Sequence, residues 1–138
     1  MMEYKPLPIG FDDFRELITG GYYYIDKTYL IKELLDKMGK VNLFTRPRRF
    51  GKTLNMSMLR YFFENTSDEK TNKDNQTLFD GMKIMNAGEA YRSEMGRYPV
   101  ISLSLKSSKQ PDWELALLML KREIGREFER HQYIMEKL

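Results

Sequence analysis

One segment, residues 41–64, constrains the fold of this chain more than any other. Val41 to Thr45 is a short apolar run that predicts a buried strand, and a basic loop follows it. The pattern from Lys52 to Glu64 is helical and apolar on nearly all sides. A second apolar run, Tyr98 to Leu105, is also followed by a helical pattern. This alternation predicts an α/β fold of the P-loop type, with a parallel sheet and flanking helices.

The loop between the strand and the helix ends in Gly51-Lys52-Thr53, the end of the phosphate-binding pattern G-x-x-x-x-G-K-[ST]. In that pattern, backbone N–H groups and the helix N-terminus surround a phosphate. The lysine reaches the β- and γ-phosphates, and the hydroxyl coordinates Mg²⁺. Lys52 and Thr53 have the spacing for these two roles. Arg46 occupies the place of the first glycine, and Pro47 favours an extended backbone there.

The predicted phosphate-binding residues form one run: Arg46, Pro47, Arg48, Arg49, Phe50, Gly51, Lys52 and Thr53. No acidic residue lies in this run, so its cations favour an anionic ligand. Three interpretations are open from the residues alone. The run is a cradle for nucleotide phosphates, a basic surface loop without a ligand, or a contact to the phosphates of a nucleic acid.

Composition narrows the classes of protein. A chain of 138 residues has room for one domain, and the absence of cysteine excludes disulfides, thiolate metal sites and a thiol nucleophile. The first residues lack the apolar region of a secretory signal, and no apolar run approaches the ~20 residues that span a bilayer. We therefore expect a cytoplasmic protein without a membrane partner. A net charge of +3 does not by itself indicate a nucleic-acid binder.

The remaining patterns complete the predicted organisation of a single domain. Apolar spacing predicts helices at Phe11–Ile18 and from Lys27 to about Met38, and Asp26 is predicted as the N-cap of the second. Asn65 to Asn75 is predicted as a solvent loop. A long helix is predicted from Asp112 to about His131. The predicted parts are lead-in helices at 1–40, the strand, loop and helix at 41–64, a variable loop region at 65–97, and a strand and long helix at 98–131.

Four segments, Leu7–Gly10, Phe14–Ile18, Tyr24–Thr28 and Phe44–Thr53, carry a resemblance to a known family. They closely resemble the predicted AAA-ATPase-like family of bacterial and archaeal P-loop proteins, whose loop commonly reads R-P-R-R-F-G-K-[ST]. The run at Tyr98–Leu105 and the helix of Trp113 are also similar, so the resemblance covers nearly the whole chain. In that family arginine is usual at the place of Arg46. The resemblance therefore implies a variant Walker A loop that binds ATP and Mg²⁺, with Thr53 as the metal ligand.

ATPases of this type also need a strand that ends in an acidic residue, which holds Mg²⁺ and orients the attacking water. No such strand is present here, because Thr45 is followed by Arg46 and Leu105 by Lys106. The resemblance implies that this strand lies beyond residue 138. We therefore expect the chain to be the N-terminal part of the ATPase domain, with catalytic residues unassigned and ATP hydrolysis only in a longer protein.

The resemblance also implies partners. Family members often carry a PD-(D/E)XK nuclease-like domain, through which nucleic acid is an expected partner of the longer protein. Sheet edges left exposed in a partial domain predict self-association. The alternative function is a non-catalytic interaction or nucleic-acid-binding module that uses the basic loop.

A few single residues carry weaker hypotheses. Asp26 lies in the segment before the loop, which often lines the adenine pocket of related ATPases, so a contact to the base is a second hypothesis beside its role as a cap. Trp113 is predicted to pack in the core or at a helix cap, and His131 to be an exposed helix residue. Ser102 and Ser104 lack a nearby general base and are predicted as strand residues, not nucleophiles.

Overall fold

A computed structural model describes residues 4–37, 39–45 and 51–138, and the chain divides into two compact units, Met1–Tyr98 and Pro99–Leu138. The regular structure of the described residues is helical. The α-helices are α1 (Phe14–Thr19), α2 (Tyr29–Lys37), α3 (Lys52–Phe63), α4 (Glu69–Thr77), α5 (Glu89–Arg92) and α6 (Trp113–Arg130). Short 3-10 helices lie at Lys83–Asn86, Lys106–Ser108 and Gln132–Lys137. Nowhere in the described ranges is a helix both long and apolar enough to span a membrane.

The prediction of an α/β fold with a parallel sheet is wrong. Within the described ranges there is no β-strand, and an isolated parallel bridge between Glu64 and Tyr98 is the only ladder contact. Val41 and Leu43 are 89% and 86% exposed, and Ile101 is 72% exposed. An apolar run becomes a strand only when a neighbouring segment pairs with its backbone. Apart from the bridge at Tyr98, these two runs have no such neighbour among the described residues. The predicted self-association through sheet edges stays a prediction.

The core of the first unit is built by helices and by the segment after α4. Its buried members are Phe14, Ile31, Met58, Leu59, Phe62, Leu78, Phe79 and Ile84. The Phe79 ring stacks on Phe14 with centroids 5.1 Å apart and meets the edge of Phe62 at 5.2 Å. Such aromatic pairs add roughly 0.5–1.5 kcal/mol beyond the area they bury. Phe79 therefore joins α1 to α3.

Polar contacts fix the same two helices. The Phe14 N–H donates to Ser57 Oγ at 2.9 Å, and the Tyr61 hydroxyl donates to Asp13 Oδ2 at 2.8 Å. Asp13 also caps α1, because its other oxygen accepts from the Glu16 N–H. Burial, and then the hydrogen bond to Asp13, raise the pKa of Tyr61 to about 12. The phenol therefore stays a donor at neutral pH, and the start of α1 is held on α3.

Asp26 belongs to a polar clamp and does not cap α2, which begins at Tyr29 and not at Lys27. Asp26 Oδ1 accepts from the Thr28 N–H at 2.9 Å and from Thr28 Oγ1 at 2.6 Å, and Oδ2 accepts from the Lys83 N–H at 2.8 Å. Thr28 Oγ1 in turn accepts from the buried Ile84 N–H at 3.1 Å. The clamp therefore joins the turn before α2 to the 3-10 helix at Lys83–Asn86.

Asn65 to Asn75 contains most of a helix where a solvent loop was predicted. Asp68 begins α4 by accepting from the Lys70 N–H at 3.2 Å. Asn72 orders the preceding turn, since its side chain accepts from the Thr66 N–H at 2.7 Å. Local capping forms this helix without an apolar stripe, which is why the hydrophobic pattern missed it.

The second unit consists of an extended segment, α6 and the two 3-10 helices at Lys106–Ser108 and Gln132–Lys137. Asp112, which was predicted to open the long helix, is the N-cap of α6 and accepts from the Glu114 N–H at 3.2 Å. Trp113 is 74% exposed, so its predicted packing in a core is wrong. His131 is the C-cap of α6, and its side chain is only 11% exposed. Its Nε2 lies 2.7 Å from the Val100 carbonyl oxygen, so the prediction of an exposed helix residue is wrong as well.

The clamp predicts the effect of Thr28→Val. The valine keeps the shape of the fully buried Thr28 side chain but leaves the Ile84 N–H without its acceptor. An unpaired buried donor costs about 1–3 kcal/mol. We expect urea unfolding, followed by circular dichroism, to show a loss of this size. Thr19→Val is the matched control, because the exposed Thr19 hydroxyl donates only to Arg15 in its own helix. An equal loss in both variants would contradict the role of the clamp.

The same clamp predicts a dependence on pH. Burial by itself would raise the pKa of Asp26, but hydrogen bonds from Thr28 and Lys83 outweigh it and lower that pKa below 3.8. The stabilisation by the carboxylate is therefore complete above pH 3.8 and is lost as the pH falls through the lower pKa of the folded state. We expect Asp26→Asn to be less stable than the unaltered protein at neutral pH. The difference in unfolding free energy should narrow in urea titrations below pH 3.8, and a constant difference would refute this account.

Candidate functional site

Three of the predicted phosphate-binding residues open α3. Gly51 is the N-cap in the left-handed region, with φ +74° and ψ +22°, where a side chain is strained. Lys52 and Thr53 occupy the first helical turn, and both side chains are exposed. The predicted residues Arg46, Pro47, Arg48, Arg49 and Phe50 lie outside the described residues. Their role in binding phosphate stays a prediction.

The N-terminus of α3 differs chemically from those of α1, α4 and α6. Asp13, Asp68 and Asp112 begin α1, α4 and α6 with carboxylate caps. Gly51 has no side chain to accept from the first N–H groups of α3, and the first turn of α3 holds no acidic residue. The first N–H groups of a helix have no partner within it, and they carry its positive dipole end. At α3 this positive end is therefore not balanced by a carboxylate from its own first turn.

Two open clefts meet at this helix start, and Pro8, Lys27, Gly51 and Leu54 line both. The first also includes Phe11 and Asp12. The second, which we call the Tyr23 cleft, is almost wholly apolar. Beside the shared residues and Asn55, it is lined by Leu7, Leu17, Tyr23, Tyr24 and Ile25. The helix start thus opens onto an apolar surface.

Lys27 is the residue to which sequence reasoning gave no role. Its neighbour Asp26 is held in the clamp with Thr28 and Lys83, whereas Lys27 lines both clefts beside Gly51. Successive side chains of an extended segment point to opposite sides, and residues 22–27 are extended. This alternation was the sequence signal that could have placed Lys27 on the side opposite to Asp26. The engaged Asp26 carboxylate fits a structural role, and its contact to a base stays a prediction.

No other chemical cluster stands out in the part of the chain that the structure describes. No group of three or more His, Asp or Glu side chains there could hold a metal ion. Ser102 and Ser104 are exposed in the extended segment before α6. Thr53 lies on the first turn of α3, apart from any such group of carboxylates.

Comparison with known proteins identifies the family to which this chain is similar. The family described as "Predicted AAA-ATPase" matches residues 8–138. A protein of Azotobacter chroococcum mcd 1, named "Uncharacterized protein in vnfD 5'region", is 34% identical over 104 residues. That alignment covers 75% of this chain but only 17% of the relative, so the chain spans a small part of the relative's length. No solved structure matches. Because the family match extends over nearly the whole chain, including Gly51-Lys52-Thr53, this chain belongs to the predicted AAA-ATPase family.

Proposed function

We propose that the chain binds ATP with Mg²⁺ through the loop Arg46–Thr53. One observation carries the proposal: a left-handed glycine begins α3, and the exposed Lys52 and Thr53 follow it in a turn without an acidic residue. The family description, a predicted AAA-ATPase, supports the choice of nucleotide.

Each residue of the helix start has a physical role in this proposal. The N–H groups of the first turn of α3 donate to phosphate oxygens, and the helix dipole places a partial positive charge of about half a unit there. The Lys52 ammonium neutralises the β- and γ-phosphates. Arg48 and Arg49 add charge to the loop.

Mg²⁺ enters this site with the nucleotide. The ion takes oxygen ligands and retains several waters, so one hydroxyl and the phosphate oxygens suffice to hold it. The Thr53 hydroxyl is the protein ligand in this proposal. Bound Mg²⁺ offsets the negative charge of the phosphates. In a longer protein that hydrolyses ATP, an acidic residue joins the Thr53 hydroxyl as a ligand of the ion.

The first test compares nucleotide-dependent stability in the unaltered chain and in Lys52→Ala. At a ligand concentration about 100 times Kd, binding adds ~2.7 kcal/mol to the free energy of unfolding. We expect ATP with Mg²⁺ to raise the melting temperature of the unaltered chain, and the variant to lose most of this shift.

Lys73→Ala is the matched control, because Lys73 is an exposed lysine of α4 that lines neither cleft. Lys73→Ala should keep the full rise in melting temperature that ATP with Mg²⁺ causes in the unaltered chain. No shift in the folded unaltered chain would refute ATP binding, and an equal shift in the Lys52 variant would refute binding through Lys52 and its loop. A steep salt-dependent affinity for DNA in that case would favour the nucleic-acid-binding module.

We further propose that ATP turnover requires a longer protein that carries the acidic strand of the family. The 138-residue chain holds the proposed phosphate and Mg²⁺ ligands but lacks an acidic strand end. We expect phosphate release from ATP to stay at background for this chain and to be measurable for a longer one. Replacing the acidic residue in the longer chain by its amide is the control, and it should abolish release. Comparable release by the short and the long chain would show that residues 1–138 already contain the catalytic acid.

A further inference from the structure

We propose that an exposed apolar stripe on α6 pairs with the same stripe of a second copy of this chain, with the two helices antiparallel. The α6 stripe consists of Trp113, Leu117, Leu120, Ile124 and Phe128, which recur at steps of three or four residues and so share one side of the helix. The inference concerns the second unit, and it does not depend on nucleotide binding.

Polar side chains, and not the stripe, hold α6 to the rest of its own unit. The Ser102 N–H donates to Glu127 Oε2 at 3.0 Å. Arg130 Nη2 donates to the Val100 carbonyl oxygen at 2.6 Å. The extended segment before α6 is therefore attached through charged side chains next to the stripe, and this attachment leaves the stripe itself open.

The α6 stripe is poorly covered. Trp113, Phe128 and Ile124 are 74%, 68% and 50% exposed. None of the residues of α6, which the structure describes in full, is buried. Apolar surface in water is unfavourable in proportion to its area, and a contiguous exposed apolar patch marks an interaction site. The stripe therefore fits a partner that presents a second apolar surface.

The spacing of the stripe matches a helical partner of the same sequence. Steps of four, three and four residues separate Trp113, Leu117, Leu120 and Ile124, and alternating steps of three and four form the core of a coiled coil. When Leu117 lies beside Leu120 of an antiparallel second α6, Trp113 lies beside Ile124 of that copy. The stripe is thus its own complement, as the interface of a two-fold symmetric dimer must be.

Two charges along one edge of the stripe favour the same arrangement. Glu114 and Lys121 are both exposed, and neither forms an ion pair with another described residue. In the antiparallel pair each Glu114 lies next to Lys121 of the second copy, so two ion pairs form. In a parallel pair these residues lie about 10 Å apart along the axis and cannot meet. Charge complementarity therefore selects the antiparallel dimer.

The charges of α6 argue against a membrane as the partner of the stripe. The helix contains four acidic and four basic residues, so its side chains have no net charge. Helices that lie on anionic membranes carry an excess of Lys and Arg on their polar side. A second copy, which supplies both signs of charge, therefore matches α6 better than a lipid surface does.

The first experiment measures the mass of the whole 138-residue chain by sedimentation equilibrium, from about 1 μM to about 1 mM. We expect dimers to replace monomers as the concentration rises. Trp113 is the only tryptophan of the chain, so its emission should shift to shorter wavelength in step with the mass. Trp113→Ala should weaken the dimer at least about tenfold, because a tryptophan at the centre of an interface contributes strongly to binding.

Charge reversal then tests the register. Glu114→Lys and Lys121→Glu should each weaken the dimer at least about fivefold, because each substitution changes both symmetric ion pairs. An equal mixture of these two variants should regain the dimer, because every Lys then meets a Glu of the other chain. Arg122→Glu is the matched control, since Arg122 is exposed on the side of α6 away from the stripe, and it should leave the dimer unchanged.

Three results would overturn the inference. A folded chain that stays monomeric over the whole range excludes the dimer. A dimer that keeps its affinity in both charge variants, or that leaves the Trp113 emission unchanged, does not use this stripe. A monomer whose Trp113 emission shifts only with vesicles of anionic phospholipid assigns the stripe to a membrane. Circular dichroism of each variant shows that it is folded, and the proposed function stands whichever result is found.

Discussion

The anchoring of Phe14 on α3 is the contact on which the rest of the first unit depends. Its ring lies against Phe79 and Tyr24, and its backbone N–H donates to Ser57 in α3. One residue thus joins the lead-in segment, the extended segment before α2 and α3 itself. Residues before and after it then line the clefts beside Gly51. A change that loosened Phe14 would therefore alter both clefts at the start of α3.

The extended segment before α2 divides its side chains between structure and surface. Tyr24 and Asp26 contact Phe14 and the Thr28–Lys83 clamp, whereas Tyr23, Ile25 and Lys27 are exposed. Tyr24 also forms part of the lining of the Tyr23 cleft. Alternation in an extended chain produces this division without additional residues. The inward set is fixed by packing and hydrogen bonds, so the outward set stands on a rigid support, which a binding surface needs.

Local signals in the sequence were sufficient for some elements and not for others. The long helix α6 and the apolar helix α3 were predicted, because each depends on neighbours within one or two turns. The prediction of a sheet failed because strand pairing is decided by a segment distant in sequence, and Val41 and Ile101 have no such partner among the described residues. For the site, Gly51-Lys52-Thr53 identified the helix start correctly. The Asp26–Thr28 clamp was missed because its other partners, Lys83 and Ile84, are more than 50 residues away.

The start of α3 shows how a stable helix end and a binding site make opposite demands. A carboxylate cap typically stabilises a helix by about 1 kcal/mol, and the chain uses Asp for this at α1, α4 and α6. The same carboxylate at α3 would occupy the N–H groups and cancel the positive dipole end that a phosphate needs. Glycine costs only a few tenths of a kcal/mol as a cap relative to these residues, and it alone adopts the left-handed backbone without strain. Gly51 therefore begins the helix at small cost, and no carboxylate from the cap or the first turn occupies the N–H groups of α3. Lys52 lies in the first turn of α3 and Lys27 lines both clefts beside Gly51, so both add positive charge to this helix start.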